Sequence, residues 1–76
     1  MNYGYALVDN QNNIMKFGET INPGRRYTNK YLNQNGYRML ILECGSKPDI
    51  HMWQYDMNMY YKNKYGMLPP LNKRGW

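Results

Sequence analysis

Short apolar stretches separated by polar, glycine-rich punctuation divide the chain. Tyr3 to Val8 (YGYALV) mixes aromatic and β-branched residues and reads as a strand, and Ile14 to Gly18 (IMKFG) reads as a second. Between them, Asp9-Asn10-Gln11-Asn12-Asn13 is a polar turn cluster, so the two strands form a β-hairpin. With Gln11-Asn12 at the tip, Leu7 lies opposite Lys16 and Tyr5 opposite Gly18. That register makes Tyr5 and Lys16 diagonal neighbours on one face, and a slip of one residue would separate them.

Asn22-Pro23-Gly24 is a loop that can open a helix from Arg25 to about Gln34, closed by Asn35-Gly36. Arg38 to Cys44 (RMLILEC) is the most apolar run and is expected to be the central, most buried strand. Ser46 then caps a long helix, with Pro48 in its first turn, Asp49 three residues after the cap and a stop at Gly66. Its apolar stripe is Ile50, Trp53, Met57, Tyr60 and Tyr61. The tail Met67-Leu68-Pro69-Pro70-Leu71-Asn72 cannot be helical and is expected to pack back as an extended segment. The pattern predicts an α+β fold, a three-stranded antiparallel sheet with two helices in the order β-β-α-β-α, followed by the tail. Neither an internal repeat nor a linker interrupts it.

Composition narrows the class. A chain of 76 residues is one domain with a small core. The single Cys44 excludes an intramolecular disulfide, and one histidine with one cysteine falls short of a structural zinc set. The apolar runs are too short for a membrane span, and the N-terminus lacks a signal-peptide pattern. Ten basic against five acidic residues give a net charge of +5, which favours an anionic partner such as nucleic acid. Nine tyrosines and two tryptophans offer faces on which bases can stack, although most serve as core in a chain this poor in Leu and Val.

No grouping of serine, cysteine or histidine forms a nucleophilic triad, and no phosphate-binding glycine loop is present. His51 falls on the polar side of the long helix as a solvated residue, and Cys44 reads as packing at the end of a buried strand. What remains suits phosphate. Arg25 and Arg26 carry planar forks for phosphate oxygens beside a helix start whose free N–H groups favour an anion. Tyr5 and Lys16 can handle a proton or a water from the strand face. Two readings of these residues stand: a phosphate clamp, or a solvated helix start above a tyrosine of the sheet core.

The order of motifs resembles the GIY-YIG nucleases. Tyr3-Gly4-Tyr5 stands where that family has "GIY", and Lys16-Phe17-Gly18-Glu19-Thr20 stands at "YIG-x-T". Arg26 follows Gly18 by eight residues with Arg25 beside it, and Leu68-Pro69-Pro70-Leu71-Asn72 is similar to the closing proline-asparagine segment. The resemblance covers nearly the whole chain and is strongest to the nuclease domains at the C-termini of bacterial polymorphic toxins. It implies metal-dependent hydrolysis of DNA or RNA phosphodiesters. Tyr5 would act as or assist the general base, and Arg26, with Arg25 in support, would stabilise phosphoryl charge. Asn72 would orient groups, and one helix carboxylate would hold Mg2+ or another divalent ion such as Mn2+. Lys30, Lys73 and Arg74 are further cations for the nucleic-acid backbone.

Two departures qualify that expectation. Lys16 replaces the second tyrosine, a point charge in place of a proton relay, so base chemistry leans on Tyr5. The metal-binding glutamate of the family falls at Gln54, on the flank of the apolar stripe and facing the sheet. Asp56 lies about 200° around the helix and cannot substitute, while Asp49 is a helix-start acid. A neutral amide beside arginines holds magnesium weakly or not at all. Gln54 is therefore either a deliberate Glu-to-Gln exchange in a toxic nuclease or the mark of a non-catalytic nucleic-acid-binding module. The resemblance further implies the C-terminal part of a longer secreted or delivered toxin that acts in the target-cell cytoplasm. It also implies an acidic immunity protein drawn to the +5 charge. A protein-interaction module using the exposed tyrosines and methionines is the third class.

Overall fold

A computed structural model describes residues 1–74. The chain is α+β: strands β1 (Asn2–Val8) and β2 (Ile14–Thr20), helices α1 (Pro23–Arg26) and α2 (Asn29–Asn35), strand β3 (Arg38–Gly45) and helix α3 (Lys47–Tyr65). The three strands form one antiparallel sheet in the order β2-β1-β3. Tyr5 pairs with Gly18 and Leu7 with Lys16, the register expected from the hairpin. The turn holds that register through Asp9, whose Oδ1 accepts from the N–H groups of Gln11 and Asn13 at 2.8 and 2.9 Å. Asn12 takes the left-handed conformation at φ 63°, as asparagine tolerates in a tight turn. Those backbone donations hold the Asp9 carboxyl below its ordinary value.

The central strand is β1, which corrects the expectation for the apolar run at 38–44. β1 pairs on both sides, and Tyr5, Ala6, Leu7 and Val8 are all buried. β3 is an edge strand with Leu40, Ile41 and Leu42 exposed. Burial follows position in the sheet, and hydrophobicity alone could not reveal which strand would be flanked twice. Cys44 shares the error: it is exposed, not packed.

Helix α3 covers the β1 face that carries Gly4, Ala6 and Val8. Trp53, Met57 and Tyr61 pack there with Ile14 against Ala6, Val8 and Phe17. The Trp53 ring meets Phe17 edge-on at 6.0 Å and lies against Gly4, where a Cβ would overlap it. Ile50 is buried as expected, but Tyr60 points to solvent at 64% exposure and leaves the stripe. Ser46 caps α3 by accepting from Asp49 N–H, and Gly66 closes it in the left-handed region.

The helix expected over 25–34 is split in two. Thr28 caps α2 by accepting from Tyr31 N–H at 3.0 Å, and Tyr27 and Thr28 are extended. A side-chain cap at Thr28 stops the first turn, so Arg25 and Arg26 sit at the end of a four-residue helix rather than opening a long one. Gly36 ends α2 at φ 68°, the stop expected of Asn35-Gly36. The tail does pack back, though as a turn: Asn72 N–H donates to Pro69 C=O, and Leu71 N–H donates to Met15 C=O on the outer edge of β2.

Candidate nucleic-acid interface

Tyr5 and Lys16 share a sheet face because opposed pairs point the same way and residues two apart repeat. Gly18 makes room for the tyrosine: a Cβ there would overlap Tyr5 Cζ and Oη. The Tyr5 ring is 1% exposed, and its hydroxyl shares a 2.8 Å hydrogen bond with Tyr27 Oη. The two rings meet at 5.8 Å and 82°, and Tyr27 stacks in turn on Tyr31. Burial, then the bond to Tyr5, pushes the Tyr27 phenol up to about 12. Tyr5 is thus a core residue that also lines an open cleft.

Extended backbone at Tyr27 brings Arg26 over its ring, 4.6 Å from the centroid, and into an open cleft of about 260 Å³. Tyr5, Lys16, Gly18, Glu19, His51 and Gln54 form the rest of that cleft. Glu19 lies one residue beyond Gly18 on the opposite face, the face α3 covers, so the cleft wraps over the outer edge of β2. His51 and Gln54 reach it from one side of α3, three residues apart. A second cleft of about 300 Å³ continues from Lys16 and Gln54 to Leu71, Asn72, Lys73 and Arg74. Lys16, Arg26, Lys73 and Arg74 therefore border one path of positive charge.

Of the residues singled out by sequence, Tyr5, Lys16, Arg26 and Gln54 converge on the first cleft, and Asn72, Lys73 and Arg74 on the second. Arg25 and Lys30 are exposed and line neither cleft. Asn72 is pinned rather than free. Its Oδ1 accepts from Phe17 N–H at 2.8 Å, and its Nδ2 donates to Phe17 C=O at 2.9 Å. The amide imitates a neighbouring strand on the edge of β2.

Gln54 is 7% exposed and faces the sheet as expected, with Nε2 donating to Phe17 C=O at 3.4 Å. The carboxylate that does line the cleft is Glu19, and it is engaged: Oε1 accepts from His51 Nδ1 at 3.1 Å. Among the described residues no group of three or more His, Cys, Asp or Glu side chains could hold a metal. One committed carboxylate and a neutral amide beside two cations do not fit a divalent ion.

Glu19, His51 and Tyr27 were not read from the sequence as site residues. His51 had a signal, its three-residue spacing from Gln54 on one helix face. Glu19 and Tyr27 had none, because their roles depend on how the sheet edge and the short helix meet. Neither protein-family models, nor curated proteins, nor solved structures gave a match to this chain. Among the described residues, no helix is long and apolar enough to cross a membrane.

Proposed function

We propose that this protein binds nucleic acid through the cleft of Tyr5, Lys16 and Arg26, as a nuclease-like domain of the GIY-YIG type. The observation that supports the reading is convergence. Lys16 and Arg26 come from separate elements to one cleft, and the second cleft extends the same charge toward Lys73 and Arg74. Such a path tracks a phosphate backbone. Arg26 offers a fork to phosphate oxygens while its Cζ lies over the Tyr27 ring.

Titration of labelled single-stranded DNA and RNA against salt tests this reading. Binding should weaken steeply with salt, and Lys16→Ala or Arg26→Ala should each lower the slope by about one. Binding unchanged in both variants overturns it. The neutral Gln54 favours a second form of the reading, in which magnesium-dependent cutting is absent and binding is the function. Gln54→Glu with magnesium distinguishes them: cleavage gained supports the nuclease ancestry, and tight binding without cleavage supports the binding module.

A further inference from the structure

The Glu19–His51 pair and an apolar shelf beside it are not used by that reading. The shelf is an open depression of about 530 Å³ formed by Pro48, Met52, Tyr55 and His51 on the outer side of α3. His51 belongs to both the shelf and the phosphate cleft. A carboxylate can only accept, so Glu19 Oε1 fixes the proton of neutral His51 on Nδ1 and leaves Nε2 as a free base. Its side chain is 48% exposed, so substrate can reach it.

We propose that His51 and the shelf form a nucleotide site for single-stranded RNA, and that His51 is the general base of metal-free cleavage there. The proposal rests on the phosphate-cleft reading and names its substrate class. A base stacked on Tyr55 and a phosphodiester held by Arg26 and Lys16 place the intervening ribose at His51, the residue the two depressions share. In RNA that ribose carries the nucleophile. His51 Nε2 takes the proton of the 2′-hydroxyl, the 2′-oxygen bonds to phosphorus, and the bond from phosphorus to the 5′-oxygen of the next nucleotide breaks. The Lys16 ammonium gives the leaving oxygen its proton, and both side chains re-equilibrate with solvent. The products are a 2′,3′-cyclic phosphate and a 5′-hydroxyl, with no net gain or loss of protons. Arg26 stabilises the added charge on the pentacovalent phosphorus. Glu19 is a positioning residue that acts through His51.

The experiment uses an end-labelled single-stranded RNA, the same RNA with one 2′-deoxy linkage, and its all-DNA counterpart, with EDTA throughout. Cleavage of RNA to cyclic-phosphate ends, sparing the deoxy linkage and the DNA, is expected. His51→Ala should lower the rate by on the order of 10²-fold or more while circular dichroism stays unchanged. Glu19→Gln should lower kcat by on the order of tenfold with KM unchanged. Tyr55→Ala should raise KM by roughly tenfold with kcat nearly unchanged. Salt-sensitive RNA binding without cleavage in EDTA overturns this inference and leaves the phosphate-cleft reading intact. Cleavage of DNA at the RNA rate, or undiminished cutting by His51→Ala, also overturns it. Absence of salt-sensitive binding to either nucleic acid overturns the reading beneath it.

Discussion

The two edges of the sheet are finished in opposite ways. Along β2 the tail supplies what a fourth strand would, with Leu71 N–H on Met15 C=O and the Asn72 amide on both polar groups of Phe17. Along β3 the described residues show no such cover, and Leu40, Ile41 and Leu42 face water. The edge that carries the cleft is the one that is closed. A cleft that wraps over a strand edge needs that edge fixed, because Lys16, Gly18 and Glu19 all sit on β2. The opposite edge has no such duty: β3 is held by its ladder to β1, by Ile50 of α3 near Gly45 and by Arg38 donating to Asn12.

Glycines give the sharpest way to separate the two. On the closed edge, Gly18→Ala drives a Cβ into the Tyr5 phenol ring, which is wedged against Tyr27 and cannot swing away. Overpacking of this kind should cost about 2–3 kcal/mol and displace the Tyr5 hydroxyl from the cleft. On the open side, a Cβ at Gly45 meets Ile50 Cδ1 at 3.8 Å, an ordinary contact. Gly45→Ala should be neutral or should stabilise by up to about 1 kcal/mol. Urea unfolding of the pair checks both signs, and equal losses would remove the contrast.

Asn72 comes next. Asn72→Ala leaves Phe17 N–H without a partner in a half-buried place and its C=O with only the longer bond from Gln54, a loss of about 1–3 kcal/mol. Hydrogen exchange should show the Phe17 amide opening faster while β1 amides hold. Phosphate binding should weaken in the same variant, since Lys73 and Arg74 hang from the segment that Asn72 anchors.

Much of this was legible in the chain, and the limits are physical. The hairpin register followed from Asp9 to Asn13, whose turn chemistry is local, and Gly36, Ser46 and Gly66 marked helix ends for the same reason. Gln54 was placed toward the sheet by helical periodicity alone. Strand order was not legible. Met39 to Leu42 is as apolar as a central strand, and only the return of the chain to β1's second side decides that it lies at the rim. The break at Thr28 was legible in principle, since a threonine before Asn29 is an N-cap signal. Tyr5, Lys16 and Arg26, singled out in the chain, do line one cleft. Glu19 and His51 meet across 32 residues, a contact no spacing announces.

The Tyr5–Tyr27 contact lies under the closed edge and should give stability a pH signature. Burial holds the Tyr27 proton until about 12 in the folded protein, against about 10 for an unfolded tyrosine. Between those values the unfolded state has lost the proton that the folded state keeps, so stability is full below pH 10 and falls as pH rises toward 12. The ring is half-buried, so the fall is modest. Urea midpoints from pH 9 to 12 should decline more steeply in the wild type than in Tyr27→Phe, and parallel curves would assign the decline to other groups.

The smallest effect on stability is expected on the open edge, and it tests why that edge is tolerated at all. Ile41 is 47% exposed on a strand whose outer backbone groups are not paired by the sheet, a template for edge-to-edge association. Ile41→Lys removes little buried area, so unfolding should shift by less than about 0.5 kcal/mol. A charge on the rim should nevertheless suppress pairing between molecules, visible as less light scattering at high protein concentration. The same substitution in β2, at Phe17, would destroy the core beneath Trp53. If Ile41→Lys proved strongly destabilising, β3 would have to be packed rather than bare, and the contrast between the two edges would fail at its simplest point.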